Sequence, residues 1–282
     1  MQQIIVEIIG GLGNQMFQYA FGRAAAICHE AELWLDVSGF ASYPLRQFNL
    51  GHFRIAGVVS EQSLDNSVPL YEEPHFHFDA LAHTHSQSIR YRGYWQSPLY
   101  FSAVADRIRT DFQLRLAWPE TYQSISNEIQ NVESVGVHVR RGDYANNQTT
   151  QAFHGLAAPD YFRQAVDMMR DELGNPRFYF FSDDIEWCRG KFEGLDVVFV
   201  DIPEEREESG LKACRDLHLM SRCRHNILSN SSFSWWSAWL CDKPDKIVIA
   251  PNPWFATAGL DTQDLIPANW RSLPISGQRD MP

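Results

Sequence analysis

Ile4-Ile5-Val6-Glu7-Ile8-Ile9-Gly10-Gly11-Leu12-Gly13-Asn14-Gln15 is the stretch that sets the fold class. Its apolar run has the length of a buried strand and is too short, and too charged, for a membrane span or a signal sequence. Past the glycines, Met16, Phe17, Ala20, Phe21, Ala24, Ile27 and Cys28 recur at three- and four-residue steps, the period of an amphipathic helix. Leu33-Trp34-Leu35 supplies the next strand, so the chain opens as a βαβ unit.

The same alternation resumes after an irregular stretch. From about Ser38 to Pro98 the chain is rich in aromatics, His and Pro with weak periodicity, which suits loops over a binding cleft or an irregular insertion. Val135–Val139 is then a β-rich run, and Asp160–Leu173 is an amphipathic helix stopped by Gly174. A strand at Phe178–Phe181, a short helix, a strand at Val197–Val200 and a helix opened by Ser209 follow. The strand Asn226–Ser229, the helix Ser231–Leu240 and the strand Ile247–Ala250 close the series. Strands alternating with helices predict α/β architecture with parallel sheets covered on both faces. The boundary between the two βα-rich regions is expected near residue 132, giving domains 1–132 and 133–282.

Composition removes several function classes. The 282 residues are 44% hydrophobic and 21% charged, an ordinary globular balance, and the net charge is −11 with histidines neutral. An acidic chain does not offer the broad positive field that nucleic acid or an anionic membrane requires. The five cysteines, Cys28, Cys188, Cys214, Cys223 and Cys241, are odd in number and lack C-x-x-C spacing. They read as buried free thiols in a reducing compartment. With no basic n-region and no apolar span, the expected location is the cytoplasm.

Ligands of parallel sheets bind at the carboxyl ends of strands, and four such ends carry unusual residues. The first is Gly11-Leu12-Gly13-Asn14-Gln15. Met16 stands where a dinucleotide fingerprint needs its third glycine, although Asp36 lies where the ribose acid would. A tight turn and a ligand contact through Asn14 and Gln15 both remain open. The second end is His138-Val139-Arg140-Arg141-Gly142-Asp143-Tyr144. Adjacent arginines closing a buried strand demand anions, either a diphosphate or an internal carboxylate such as Asp143.

The third end is Phe181-Ser182-Asp183-Asp184. Its acidic pair suits Mg²⁺, helix capping, or hydrogen bonds to ribose or arginine. The fourth is Ser229-Asn230-Ser231-Ser232-Phe233-Ser234-Trp235-Trp236, whose hydroxyls at a helix start can present donors to a phosphate. Upstream, Asp216 lies near the apolar stripe of its helix, where its carboxylate could accept the paired N–H donors of guanine or pair with Arg215 or Arg222.

Together these motifs resemble the bacterial α-1,2-fucosyltransferases. The resemblance rests on Gly10 to Ala20, on His138 to Tyr144, on Phe181 to Asp184, on Asp216-Leu217-His218-Leu219-Met220-Ser221 and on Ser229 to Trp236, spanning nearly the whole chain. The H-x-R-R-x-D element is shared with α-1,6- and protein O-fucosyltransferases. The N-terminal and Ser-Trp-Trp motifs point to the 1,2 branch.

What the resemblance implies is a GT-B fold, two Rossmann-like domains facing across a cleft, acting on GDP-β-L-fucose with inversion, on a galactoside glycan acceptor, with no metal or other cofactor. Arg140 would grip the diphosphate with Arg141 beside it, and His138 would lie near the nucleotide. Asp216 would read guanine, and Ser231, Ser232 and Phe233 would line the phosphate pocket. Asp183 and Asp184 match the acidic pair of the α-1,6 relatives, which speaks against Mg²⁺, and Asn14 would sit at the cleft. Asp143 and His154 are the candidate bases. The Glu that the α-1,6 relatives carry after H-x-R-R-x-D has no counterpart in Gln148-Thr149-Thr150-Gln151. A GDP-fucose transferase of another linkage or with a protein acceptor, a non-catalytic nucleotide-sugar binder, and a dinucleotide oxidoreductase are the alternatives.

Overall fold

A computed structural model describes residues 1–43, 45–64, 67–142, 148–192, 194–203 and 210–275, without the side chains of 148–150. It forms two compact units, residues 1–117 with 260–267, and residues 118–259 with 268–282. The division falls before Trp118 rather than near residue 132. The reason is the helix Glu120–Gln130, which packs on the second unit's helix Leu211–Ser221 and whose Tyr122 hydroxyl donates to Asp216 Oδ1 at 2.8 Å.

The first unit holds five parallel strands, β1 (Gln3–Glu7), β2 (Glu32–Asp36), β3 (Val58–Ser60), β4 (Leu70–Glu72) and β5 (Ile89–Arg92), in the order β3-β2-β1-β5-β4. Ile4, Ile5 and Val6 are all buried, because a central parallel strand is covered on both faces. The helix α1 (Leu12–Cys28) lies against this sheet. A Cβ on Gly22 would come within 2.4 Å of Val6 Cγ2, so the close helix–strand approach is made at Gly22, not at Met16, the third-glycine position of a dinucleotide motif. Phe21 on the same helix stacks on Trp95 at 4.0 Å and meets Tyr91 and Tyr100 edge-on, the centre of an aromatic core. A short helix, α2 (Ala105–Asp111), lies near the end of the unit's main segment.

The second unit opens with α3 (Glu120–Gln130). Its strands are β6 (Ser134–Val139), β7 (Arg177–Ser182), β8 (Val197–Phe199), β9 (His225–Ile227), β10 (Val248–Asn252) and β11 (Arg271–Pro274), all parallel in the order β11-β10-β9-β6-β7-β8. The chain runs outward from β6 to β8, then returns to the other side of β6 as β9. The β6–β9 gap is therefore the topological switch point, where such sheets open a crevice for ligands. Val135, Val137 and Val139 face α5 (Pro159–Leu173), whose Tyr161, Phe162, Ala165, Val166 and Met169 form its buried stripe. Gly136 and His138 face the opposite side, toward α7 (Leu211–Ser221) and α8 (Ser232–Leu240). Two short helices, α4 (Gln148–His154) and α6 (Ile185–Arg189), follow the ends of β6 and β7.

The predicted strands and helices of the second region are present within a few residues, and Gly174 ends α5 at φ 81°. Ser209 lies outside the described residues, and α7 is preceded by Gly210 at φ 83°. Cys188, Cys214, Cys223 and Cys241 are buried free thiols, but Cys28, in the last turn of α1, is exposed. Among the described residues no helix is long and apolar enough to cross a membrane.

Candidate active site

Four of the sequence motifs meet in the second unit. β6 carries His138 to the sheet's carboxyl end, and β9 delivers Leu228 to Ser231 beside it. His138 Nδ1 lies 2.8 Å from Ser229 Oγ, and the His138 ring stacks on Phe233 at 5.0 Å and 28°. Burial, helped by the Arg140 charge, pushes His138 down to about 3, so the imidazole is neutral at any working pH. Ser231 caps α8 through backbone geometry alone, since its side chain makes no cap bond. The first-turn N–H groups of a helix have no acceptor within it, and they gather positive potential here at the switch point. Ser234 Oγ turns inward to the Ser229 and Ser231 carbonyls, which fixes the turn that aims Ser232 and Phe233 outward.

The arginines have protein partners, and the internal carboxylates are Asp183 and Asp184. Arg140 Nη1 lies 2.9 Å from Asp183 Oδ2, and Arg141 Nε lies 3.2 Å from Asp184 Oδ2. Arg141 N also donates to Asp183 Oδ1 at 2.8 Å, and the Arg141 guanidinium covers the Trp187 ring at 4.1 Å. The two strand ends β6 and β7 are thus laced together through the acidic pair. A Cβ on Gly142 would fall 2.5 Å from Asp183 Oδ2, so the motif's glycine is what lets the carboxylate approach. Asp184 also caps α6 by accepting from Trp187 N at 3.2 Å. Asp183 and Asp184 therefore serve arginine binding and capping, two of the three uses their sequence allowed.

Asp216 is held by Tyr122, and by Lys212 Nζ at 2.5 Å. Arg215 and Arg222 lie over the Tyr122 and Trp118 rings. His154 ends α4 with its ring against Phe153 and Phe255. Its carbonyl accepts from Asn230 Nδ2 at 2.6 Å, so Asn230 draws α4 to the β9 end. Asp143 lies outside the described residues. Among the described residues no three His, Cys, Asp or Glu side chains converge as a metal site.

Asn14 and Gln15 belong to the first unit. Gln15 is fully buried and spends its amide on backbone: Nε2 donates to the Gly10 and Gln47 carbonyls, and Oε1 accepts from Asn49 N. It braces a loop and is not a ligand contact. Asp36 likewise accepts from Ser38 N and Leu64 N, which removes the ribose acid of the dinucleotide reading. Asn14 accepts from Gln96 Nε2 at 3.0 Å at the carboxyl end of β1 and β5. Gln96, with Glu73 and Tyr94 beside it, was not legible in the sequence, because residues 70–98 lack the periodicity that would place them at strand ends.

Parallel sheets with a topological switch point, arginines held by carboxylates and a helix N-terminus beside it define a protein of the parallel α/β class. The model of glycosyl transferase family 11 matches residues 71–273, and the chain belongs to that family. It is 31% identical to an Escherichia coli alpha-1,2-colitosyltransferase over 96% of this chain and 98% of that one. It is 30% identical to the E. coli O-antigen biosynthesis glycosyltransferase WbnK, over 94% and 98%. A Bos taurus galactoside 2-alpha-L-fucosyltransferase, SEC1, is 30% identical over 82% of this chain and 62% of its own length. Among solved structures, Arabidopsis thaliana FUT1 mutant R284K with GDP superposes with a TM-score of 0.50 at 11% identity, over 90% of this chain and 71% of that one, a likeness of fold alone.

Proposed function

We propose that this chain moves L-fucose from GDP-β-L-fucose to the 2-hydroxyl of a terminal galactose, with inversion and without a metal. The observation that carries the reading is the grouping of His138, Arg140, Ser229 and the α8 N-terminus at the β6–β9 switch point, in a chain of this family with α-1,2-transferring relatives. The second unit takes the donor and the first the acceptor, in the GT-B arrangement.

The chemistry follows from charge. Fucose departs through an oxocarbenium-like state while negative charge grows on GDP. Arg140 and the N–H groups at Ser231 and Ser232 meet that charge, and such preorganised donors are commonly worth ~3–4 kcal/mol each. A guanidinium carries five N–H donors, so Asp183 and a diphosphate can share Arg140, with Asp183 fixing its angle. Because Asp183 and Asp184 already bear arginines, they are poorly disposed to hold Mg²⁺. A neutral His138 stacked on Phe233 packs beside the nucleotide without adding charge. Asp216 turns its carboxylate toward guanine from its Tyr122 and Lys212 supports.

The colitosyltransferase relative favours a second donor sugar at the same site. The acidic surface and the E. coli relatives suit a bacterial cytoplasmic enzyme building surface-polysaccharide repeats. The test is incubation with GDP-fucose or GDP-colitose, lactose and EDTA, with product analysis by mass and NMR. An α-1,2-fucosylated trisaccharide is expected. A 1,3 linkage contradicts the branch, preference for GDP-colitose reassigns the sugar, and absence of GDP release with every galactoside leaves a binding protein.

A further inference from the structure

The His138 ring is held on one edge and one face, and both contacts come from the turn between β9 and α8. Ser229 Oγ lies 2.8 Å from His138 Nδ1, and Phe233 stacks on the ring at 5.0 Å. The turn itself is fixed by its own backbone partners. Tyr161 Oη donates to the Leu228 carbonyl at 2.7 Å. Ser231 N and Ser234 Oγ donate to the Ser229 carbonyl at 2.8 and 3.1 Å. Ser229 is fully buried, and His138 is only 6% exposed.

The nitrogen that carries the ring proton follows from the Ser229 contact, because the bond made by one ring nitrogen sets the state of the other. Among the described residues Ser229 Oγ meets no other hydrogen-bonding group. Were Nδ1–H to donate to Oγ, the Ser229 hydroxyl proton would be buried without an acceptor. That penalty tilts the balance by roughly ten- to a hundredfold. With the Ser229 hydroxyl donating to Nδ1, both groups are satisfied and the ring proton sits on Nε2. Nε2 has no partner among the described residues and is not enclosed by them. Burial, and after it the Arg140 charge, lowers His138 to about 3, so the ring holds one proton and not two. A neutral ring with its lone pair outward would repel an anion's oxygens, whereas N–H outward donates to them.

We infer that Ser229 is a positioning residue: its hydroxyl fixes His138 as the Nε2–H tautomer, which presents an uncharged donor at the β6–β9 switch point to an anionic oxygen of a bound nucleoside diphosphate. The tautomer is set by contacts within the second unit alone. The ligand half of the inference rests on the donor reading above.

The full chain, labelled with heavy nitrogen at histidine, is read by long-range proton–nitrogen NMR, which separates protonated from bare ring nitrogens. The His138 signals are assigned by their loss in His138→Gln. In the wild type Nε2 is expected protonated and Nδ1 bare from about pH 6 to about pH 8. Ser229→Ala should mix the two tautomers, and Ser229→Thr, which keeps the hydroxyl, should retain one. GDP should move the Nε2 proton of the wild type. By calorimetry its Kd should rise ~10–100-fold in His138→Asn, the loss of a hydrogen bond to a charged group. The rise should be less than about fivefold in His138→Gln, whose amide nitrogen reaches the place of Nε2 as a donor. Both variants lose the stack on Phe233, so their difference isolates the donor.

A protonated Nδ1 in the wild type overturns the inference, as does a single Nε2–H tautomer in Ser229→Ala. Equal Kd values for the Asn and Gln variants overturn it too. Where a variant does not fold, the wild-type tautomer and its response to GDP decide. A wild type that binds no GDP sinks the donor reading and the ligand half with it. That outcome is distinct from GDP bound with the Nε2 proton unmoved, which refutes this inference and leaves the donor reading standing.

Discussion

Arg140 and Arg141 are neighbours in sequence with different tasks. Arg141 pairs with Asp184, covers the Trp187 face and donates its own N–H to Asp183. Arg140 has its ion pair at a strand end that opens on the switch point, with its side chain a quarter exposed. Such a pair is worth ~0–1 kcal/mol once screened, so Arg140→Ala should cost little stability. Its turnover should fall ~10²–10³-fold, the usual loss of one donor to a developing anion. Denaturant melts and steady-state kinetics on the same preparation check both halves, and unfolding of the variant would assign Arg140 to the fold. Asp216→Ala should raise KM for GDP-fucose by ~10–100-fold, the loss of charge-assisted hydrogen bonds worth ~1.5–3 kcal/mol. An unchanged donor constant would leave Asp216 as the anchor of Tyr122 and Lys212 only. That the arginines need anions was legible from their place at the end of a buried strand. Which anions was not, because Asp183 lies 43 residues from Arg140 and only the β6–β7 pairing brings them together.

At the scale of elements, Asn230 is the joint of the site. It is buried, and its amide reaches the carbonyls of His154, Gly155 and Trp254, tying α4 and the segment after β10 to the β9 end. Asn230→Ala leaves those carbonyls short of a donor, at a cost of ~1–3 kcal/mol. The expected result is faster amide exchange in residues 151–155 with the β6–β7 core unchanged, and equal protection in both proteins would refute the joint. The central strands were legible because burial on both faces writes them as unbroken apolar runs. β3 and β4 were not, since Val58–Ser60 and Leu70–Glu72 are three-residue edge strands, mostly exposed, with no pattern to betray them. β5 was hidden by its own arginines, with Arg90 buried where a sequence reading expects an apolar side chain. The helix α3 fell on the wrong side of the expected boundary because nothing in its sequence announces Tyr122 reaching Asp216.

At the scale of the molecule, three groups among the described residues whose titration is shifted by desolvation bear on the response to acid. His138 is lowered to about 3 and His83 to about 4, both chiefly by desolvation, so neither can take up the proton it would bind when unfolded. Their stabilising effect is complete above the unfolded value of 6.5 and is lost as pH falls below it. Glu73 acts oppositely: raised from 4.5 to about 7, its contribution is present at low pH and is lost as pH rises through that window. Between 4.5 and 6.5 two histidines outweigh one glutamate, so stability should fall toward acid by up to ~1.4 kcal/mol per pH unit, the linkage of one net proton. Chemical denaturation across that range measures it, and a flat profile would contradict the burial of these groups. The α/β class and the grouping at the β6–β9 switch point were legible because motifs and strand ends coincide there. The setting of Glu73 was not, since Tyr94 and Trp95 reach it only through a turn.

In the proposed function, a diphosphate supplied from outside the chain sits between Arg140 and the first turn of α8. A crystal structure with GDP bound decides whether it does. Phosphate oxygens within hydrogen-bonding distance of the Arg140 guanidinium and of the Ser231–Phe233 backbone are expected, with the guanine edge on Asp216. GDP bound elsewhere, with the Arg140–Asp183 and Arg141–Asp184 pairs enclosing an unvisited crevice, would contradict it.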